Sequence, residues 1–149
     1  MKVALGADHG GFELKEAIKA HLNEKGYEVV DFGTDSTESV DYAYFGEKVG
    51  EYVVKEGILG ILCCGTGIGI SLAANKVNGV RAACCSDYFS AKMTRAHNNA
   101  NILALGGRVV GAGLALELVD VFLSTEFEGG RHQRRIDQIT AIENKQKEL

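Results

Sequence analysis

A chain of 149 residues is the size of one ordinary domain, long enough to bury a self-sufficient core without disulfides or structural metal. A formal net charge of −4 excludes a general nucleic-acid binder, which needs excess Lys and Arg to neutralise phosphates. No apolar run approaches the roughly 20 residues of a membrane span, and Met1-Lys2 passes directly into strand-like Val3-Ala4-Leu5 without a secretory leader pattern, so the expectation is a cytoplasmic chain.

Short aliphatic or β-branched runs alternate with longer amphipathic stretches, which implies a parallel sheet covered by helices on both faces. The first strand spans Val3 to Ala7. A helix over Phe12 to Lys25 follows, with Leu14, Ala17, Ile18 and Leu22 at helical spacing and Gly26 as its stop. The second strand covers Tyr27 to Phe32, and the helix over Tyr42 to Lys55 repeats the pattern with Phe45, Val49 and Val53. Strands over Ile58 to Cys63, Val80 to Cys85 and Ile102 to Leu105 come next, interleaved with helices over Ile68 to Lys76, Asp87 to His97 and Gly111 to Leu123. A last helix from Arg131 toward Lys147 reads as too polar for core. The fold expected is a Rossmann-like three-layer α/β/α sandwich in one domain over residues 1–149, with a five-stranded parallel sheet and a C-terminal helix.

Ligands of such sheets sit beyond the carboxyl ends of the strands, where strand order reverses. The loops to search are therefore Gly6-Ala7-Asp8-His9-Gly10-Gly11, Cys64 to Ser71, Asp87-Tyr88 and Gly106-Gly107-Arg108. Asp8 either caps the first helix or faces a ligand together with His9. The turn is not a dinucleotide fingerprint, because Asp8 stands where the second glycine belongs and would repel a pyrophosphate.

Ile61 to Ser71 reads as strand, thiol, anion cradle and helix. Glycines at 65, 67 and 69 let N–H groups converge on an oxyanion, and the following helix start favours thiolate at Cys64. The loop carries no Lys-Ser/Thr of a P-loop. The alternative for Cys64 is a small core side chain, which is the reading for Cys63 on the opposite face. The pairs Cys63-Cys64 and Cys84-Cys85 lack the CxxC spacing of zinc or redox motifs and suggest reduced thiols. His97-Asn98 either caps a helix C-terminus or polarises hydroxyls. Arg131 and Arg135, one turn apart in the single basic cluster, suit a bidentate grip on a phosphate; the bland alternative is a solvated helix start. Arg108 is a weaker candidate of the same kind.

The ordered set Gly-Ala-Asp8-His9-Gly-Gly-Phe, Asp31-Phe-Gly33-Thr34, Asp41-Tyr42, Cys64-Gly-Thr-Gly-Ile-Gly-Ile-Ser71, Ala73-Ala-Asn75-Lys, His97-Asn98 and Glu128-Gly-Gly-Arg131-His132 through Arg135 resembles ribose-5-phosphate isomerase type B nearly end to end. The broader family includes allose-6-phosphate isomerase and the galactose-6-phosphate isomerase subunits. The resemblance implies a cofactor-free, metal-independent aldose–ketose isomerase working through a cis-enediolate. It assigns proton transfer to Cys64 and ring opening to His97, with Thr66 and Asp8 also in the catalytic set. It assigns substrate contacts to Asp8, His9, Tyr42, Gly65, Thr66, Gly67, Ile68, Gly69, Ser71, Asn98, Arg131 and Arg135, to which Arg108 is added from its place after Gly106-Gly107. Relatives with a carboxylate base after the glycine loop are not followed, since Ala73 and Ala74 stand there; a further departure is Ala43, where proline commonly follows the tyrosine. The resemblance further implies a homodimer with sites shared between subunits. Competing expectations are an isomerase of six-carbon aldose 6-phosphates, a non-catalytic sugar-phosphate-binding subunit, and a thiol redox or acyl-transfer enzyme, for which no resolving cysteine has suitable spacing.

Overall fold

The computed structural model describes residues 1–149. Five strands, β1 (Lys2–Ala7), β2 (Glu28–Asp31), β3 (Leu59–Cys64), β4 (Ala82–Cys84) and β5 (Ile102–Gly106), form one sheet in the order β2-β1-β3-β5-β4. Every pairing is parallel. Helices α1 (Phe12–Glu24), α2 (Tyr42–Glu56), α3 (Ile68–Ala74), α4 (Tyr88–Asn98), α5 (Ala112–Ser124) and α6 (Arg131–Gln146) complete the chain.

Two cores lie on the two faces of the sheet. On one, Leu14, Ile18 and Leu22 of α1 meet Ala91 of α4 and Leu118 and Phe122 of α5. On the other, Phe45, Val49 and Val53 of α2 meet Ile70 and Ala74 of α3. Alternation along β3 sends Cys63 into the first core and Cys64 into the second. The pair therefore has no common environment, and burial pushes the Cys63 thiol well up, leaving it an inert core side chain.

The expected elements form within a few residues of their anticipated bounds, with two instructive differences. β3 runs one residue further, through Cys64. β4 shrinks from the expected Val80–Cys85 to three residues, because side chains satisfy the neighbouring backbone. Asn75 bonds both the N–H and the carbonyl of Ala82, and Asn101 accepts from the Arg81 N–H. The polar α6 lies outside both cores, as its composition implies, but it is anchored: His132 and Ile136 are buried, and Glu143 accepts from the Gly79 N–H. Ile139 of α6 shares a cleft with Ala82 and Ala83, so the helix lies along the β4 edge.

Asp31, at the end of β2, belongs to the scaffold. Its carboxylate takes the fully buried Lys15 ammonium at 2.7 and 2.8 Å, Lys19 at 3.1 Å and the Gly33 N–H at 2.8 Å. Partial burial works against its charge, but the Lys15, Gly33 and Lys19 hydrogen bonds prevail and hold the carboxyl below its usual range. Asp31→Asn leaves the buried Lys15 ammonium with only the half-exposed Glu16 carboxylate at 3.2 Å, so a loss of about 3 kcal/mol is expected in urea melts. The pH dependence follows from the lowered value. The contribution is intact above the unfolded carboxyl pKa of about 3.9 and fades as pH falls through the lower folded value. The stability gap between parent and variant should therefore narrow on acidification below about pH 4.

Candidate active site

The chain leaves β1 toward β2 on one side and reaches β3 on the other, so the loops after β1 and β3 diverge and open a crevice at the carboxyl edge. Close contact of these loops depends on glycine. A Cβ on Gly11 would fall 2.3 Å from the Cys63 carbonyl carbon. Asp8, buried in this crevice, turns Oδ1 onto the N–H groups of Gly10 and Gly11 at 2.8 and 3.2 Å. These amides precede Phe12, and the N-cap of α1 is Gly11 without a side-chain cap, so Asp8 closes the loop ahead of the helix rather than capping it; Oδ2 bonds nothing in the chain. His9 accepts the Val40 N–H on Nδ1 at 3.1 Å, which leaves the proton of a neutral ring on Nε2. His9 and Arg108 line the same small cavity of about 310 Å³ with Gly10, Glu13, Thr37 and Gly107.

Cys64 ends β3 with 4% of its surface exposed, and its Sγ accepts the Gly67 N–H at 3.0 Å. Gly67 makes that contact from a left-handed conformation with φ 82°, which ordinary side chains rarely adopt. A Cβ there would also strike the Leu105 carbonyl carbon at 2.8 Å. The N–H groups of Gly65, Thr66, Gly69 and Ile70 bond no acceptor of the chain, so the loop presents a set of backbone donors around the thiol. Thr66 Oγ1 accepts the Ile68 N–H at 3.2 Å and shapes this turn. The Tyr42 ring covers Gly69 so closely that a Cβ would lie 2.8 Å from it. Cys84 also borders Gly67; burial, then the neighbouring Cys64, push its thiol up.

A second group lies elsewhere. α4 starts at the carboxyl edge and its 11 residues return to the amino edge, a distance of roughly 15 Å at 1.5 Å per residue. His97 and Asn98, in its last turn, therefore cannot meet Cys64 of the same chain. His97 instead stacks on His132, with ring centroids 4.1 Å apart and planes 7° from parallel. Burial, then the charges of His97 and Arg131, lower the pKa of His132, while Glu128 opposes them. Arg131 and Arg135 extend from the same helix start, exposed, and neither pairs with a carboxylate.

This geometry is a thiol, a carboxylate and backbone donors at one edge, and imidazole with two free guanidinium groups at the other. The model of the ribose/galactose isomerase family matches residues 3–139. The chain belongs to this family. It is 52% identical over 145 residues to ribose-5-phosphate isomerase B of Escherichia coli (strain K12), covering 97% of both chains. The fold superposes on ribose-5-phosphate isomerase B of Clostridium thermocellum with a TM-score of 0.96 at 56% identity, covering 97% of this chain and 99% of that one. It also superposes on the enzyme of Mycoplasma genitalium with bound ribulose-5-phosphate, with a TM-score of 0.92 at 44% identity, covering 96% of each.

Within this member of the ribose/galactose isomerase family, the residues expected at the site divide cleanly. Asp8, His9, Tyr42, Gly65, Thr66, Gly67, Ile68, Gly69 and Arg108 gather around Cys64 at the carboxyl edge. Asn98, Arg131 and Arg135 gather around His97. Ser71 differs from its expected part: it is buried, and its hydroxyl donates to the Ile68 carbonyl at 2.7 Å, inside the first turn of α3. Glu128 is the group the sequence reading passed over as a site residue. Its N–H is held by the Ala96 carbonyl at 3.0 Å, and its carboxylate lies beside the Nε2 edges of the stacked His97 and His132 rings. Its sequence signals were its place at the head of the Glu128-Gly-Gly-Arg131-His132 motif and its spacing of four residues from His132.

Proposed function

We propose that this protein interconverts ribose 5-phosphate and ribulose 5-phosphate, with Cys64 carrying the proton between C1 and C2 through a cis-enediolate. The observation that carries this reading is the Cys64 thiol at the end of β3, met by the Gly67 N–H at 3.0 Å inside a loop of unengaged backbone donors. A base that removes and returns a proton next to a carbonyl needs the intermediate's oxygen charge held at the same moment. The donor aimed at sulfur interacts more strongly with its anionic form, and the neighbouring N–H groups suit the enediolate oxygens. Asp8 Oδ2 is placed to accept from a sugar hydroxyl.

Ring opening and phosphate binding fall to His97, Asn98, Arg131 and Arg135. Since α4 separates these from Cys64 by its own length, we assign them to the site of a second copy, in a homodimer whose two sites each draw on both chains. Large apolar side chains left exposed around the carboxyl edge, Ile68, Tyr88, Phe89 and Val109, support a partner surface there. His9 and Arg108 from one chain and Arg131 and Arg135 from the other would then close on one phosphate. The protein works as a single isomerase domain without metal or cofactor. All four cysteines are free, which favours a reducing cytoplasmic compartment. No helix is long and apolar enough to cross a membrane.

Conversion of ribose 5-phosphate to ribulose 5-phosphate by purified protein, insensitive to EDTA, is the expected result. Turnover of a six-carbon aldose 6-phosphate in its place would move the substrate class, and no turnover on either would leave a binding role. Arg131→Ala removes one charged hydrogen bond to phosphate, a loss of about 1.5–3 kcal/mol. KM should therefore rise roughly 10- to 100-fold with a smaller change in kcat. An unchanged KM would place the phosphate elsewhere.

A further inference from the structure

The imidazoles and carboxylate at the amino edge form a cluster with unusual internal distances. Glu128 Oε1 stands 3.7 Å from His97 Nε2 and 3.5 Å from His132 Nε2. Both separations exceed a hydrogen bond, and His132 Nε2, on a side chain only 8% exposed, has no partner. One ligand atom from each of the three residues lies within 4.8 Å of the others. Ligands of a tetrahedral ion with bonds of 2.0–2.2 Å stand roughly 3.3–3.5 Å apart, so two edges of this triangle already have nearly the length such an ion requires.

We propose that His97, Glu128 and His132 form a binding site for a borderline divalent cation, zinc foremost, whose occupancy inhibits the enzyme. Two imidazoles and one carboxylate select zinc-like ions over magnesium or calcium, which take oxygen ligands. The three side chains leave a fourth position open to water or an anion. Stacking aligns the two Nε2 lone pairs side by side, so binding requires one ring to turn. His97, with 38% of its side chain exposed, is the ring with room to do so. His132 is fixed by burial, and the Ala96 carbonyl keeps Glu128 beside α4. Arg131 and Arg135 oppose a cation, which sets the affinity below that of a closed structural zinc site. An ion on His97 removes the lone pair that ring opening uses; this consequence rests on the role proposed above, whereas the binding itself does not.

The test is titration of the full chain with Co²⁺, a zinc substitute whose tetrahedral complexes absorb visible light, alongside calorimetric titration with Zn²⁺. One ion per chain is expected, with a visible band and without sulfur-to-cobalt charge transfer in the near ultraviolet. Glu128→Gln and His132→Asn should each weaken binding at least tenfold, with circular dichroism confirming the fold, and Cys84→Ser should leave it unchanged. Should His132→Asn fail to fold, Glu128→Gln alone decides. Zn²⁺ should inhibit ribose 5-phosphate turnover reversibly, with EDTA restoring it. No binding at millimolar ion, or binding indifferent to Glu128→Gln, would overturn the site. Binding as expected without inhibition would overturn the inhibitory effect and count against the role of His97, leaving the site in place.

Discussion

Replacing Cys64 by alanine is expected to lower kcat by roughly 10³-fold or more, the range of a lost general base, while sugar-phosphate affinity stays within about threefold. The two effects separate because the thiol contacts the moving proton, whereas affinity comes from guanidinium, imidazole and backbone groups around the phosphate and hydroxyls. Removing Sγ also frees the Gly67 N–H, a donor that water can satisfy at the crevice. The measurements are turnover, calorimetric binding of ribulose 5-phosphate, and exchange of its C1 protons with deuterated water. Exchange should vanish with turnover. A Cys64→Ala protein within tenfold of the parent in either rate would show that another group is the base.

His97→Asn is expected to divide the reaction by direction. Ribose 5-phosphate is chiefly a furanose and must be opened with acid–base help, so its turnover should fall by roughly 100-fold. Ribulose 5-phosphate cannot close such a ring, since its C5 oxygen carries the phosphate. Enolisation of the ketose needs no ring opening, and its C1 exchange should remain within a few-fold of the parent. Equal loss of both would make His97 part of proton transfer itself. Loss of neither would return it to a helix cap, where the sequence leaves it equally well placed.

The strands were legible because buried parallel strands read as aliphatic runs, and Leu14, Ile18 and Leu22 or Phe45, Val49 and Val53 declare their helical faces by spacing. The carboxyl-edge cluster was legible for the same reason: once the strands are drawn, Asp8, Cys64 and Arg108 must share one edge. Pairing order was not, because nothing local says that β5 inserts between β3 and β4. Asp31 stands in a recognisable motif, but nothing local marks Lys15 within the α1 segment as its partner; only the register of α1 against β2 buries the ammonium. Glu128 and His132 sit at the irregular start of a polar helix, where periodicity carries little information, and their meeting with His97 is a tertiary event. The separation of His97 from Cys64 was implicit in the helix length and becomes evident only with the direction of α4.

That separation leads to a decisive mixing experiment with two inactive variants, Cys64→Ala and His97→Asn, unfolded together and refolded as a mixture. If each site joins Cys64 of one chain to His97 of its partner, a mixed dimer holds one doubly altered site and one intact site. Random pairing of equal amounts makes half the dimers mixed, so about a quarter of the parental ribose 5-phosphate turnover should return. If each site belongs to a single chain, every site in the mixture keeps one lesion, and activity no higher than the average of the two variants would contradict the shared site.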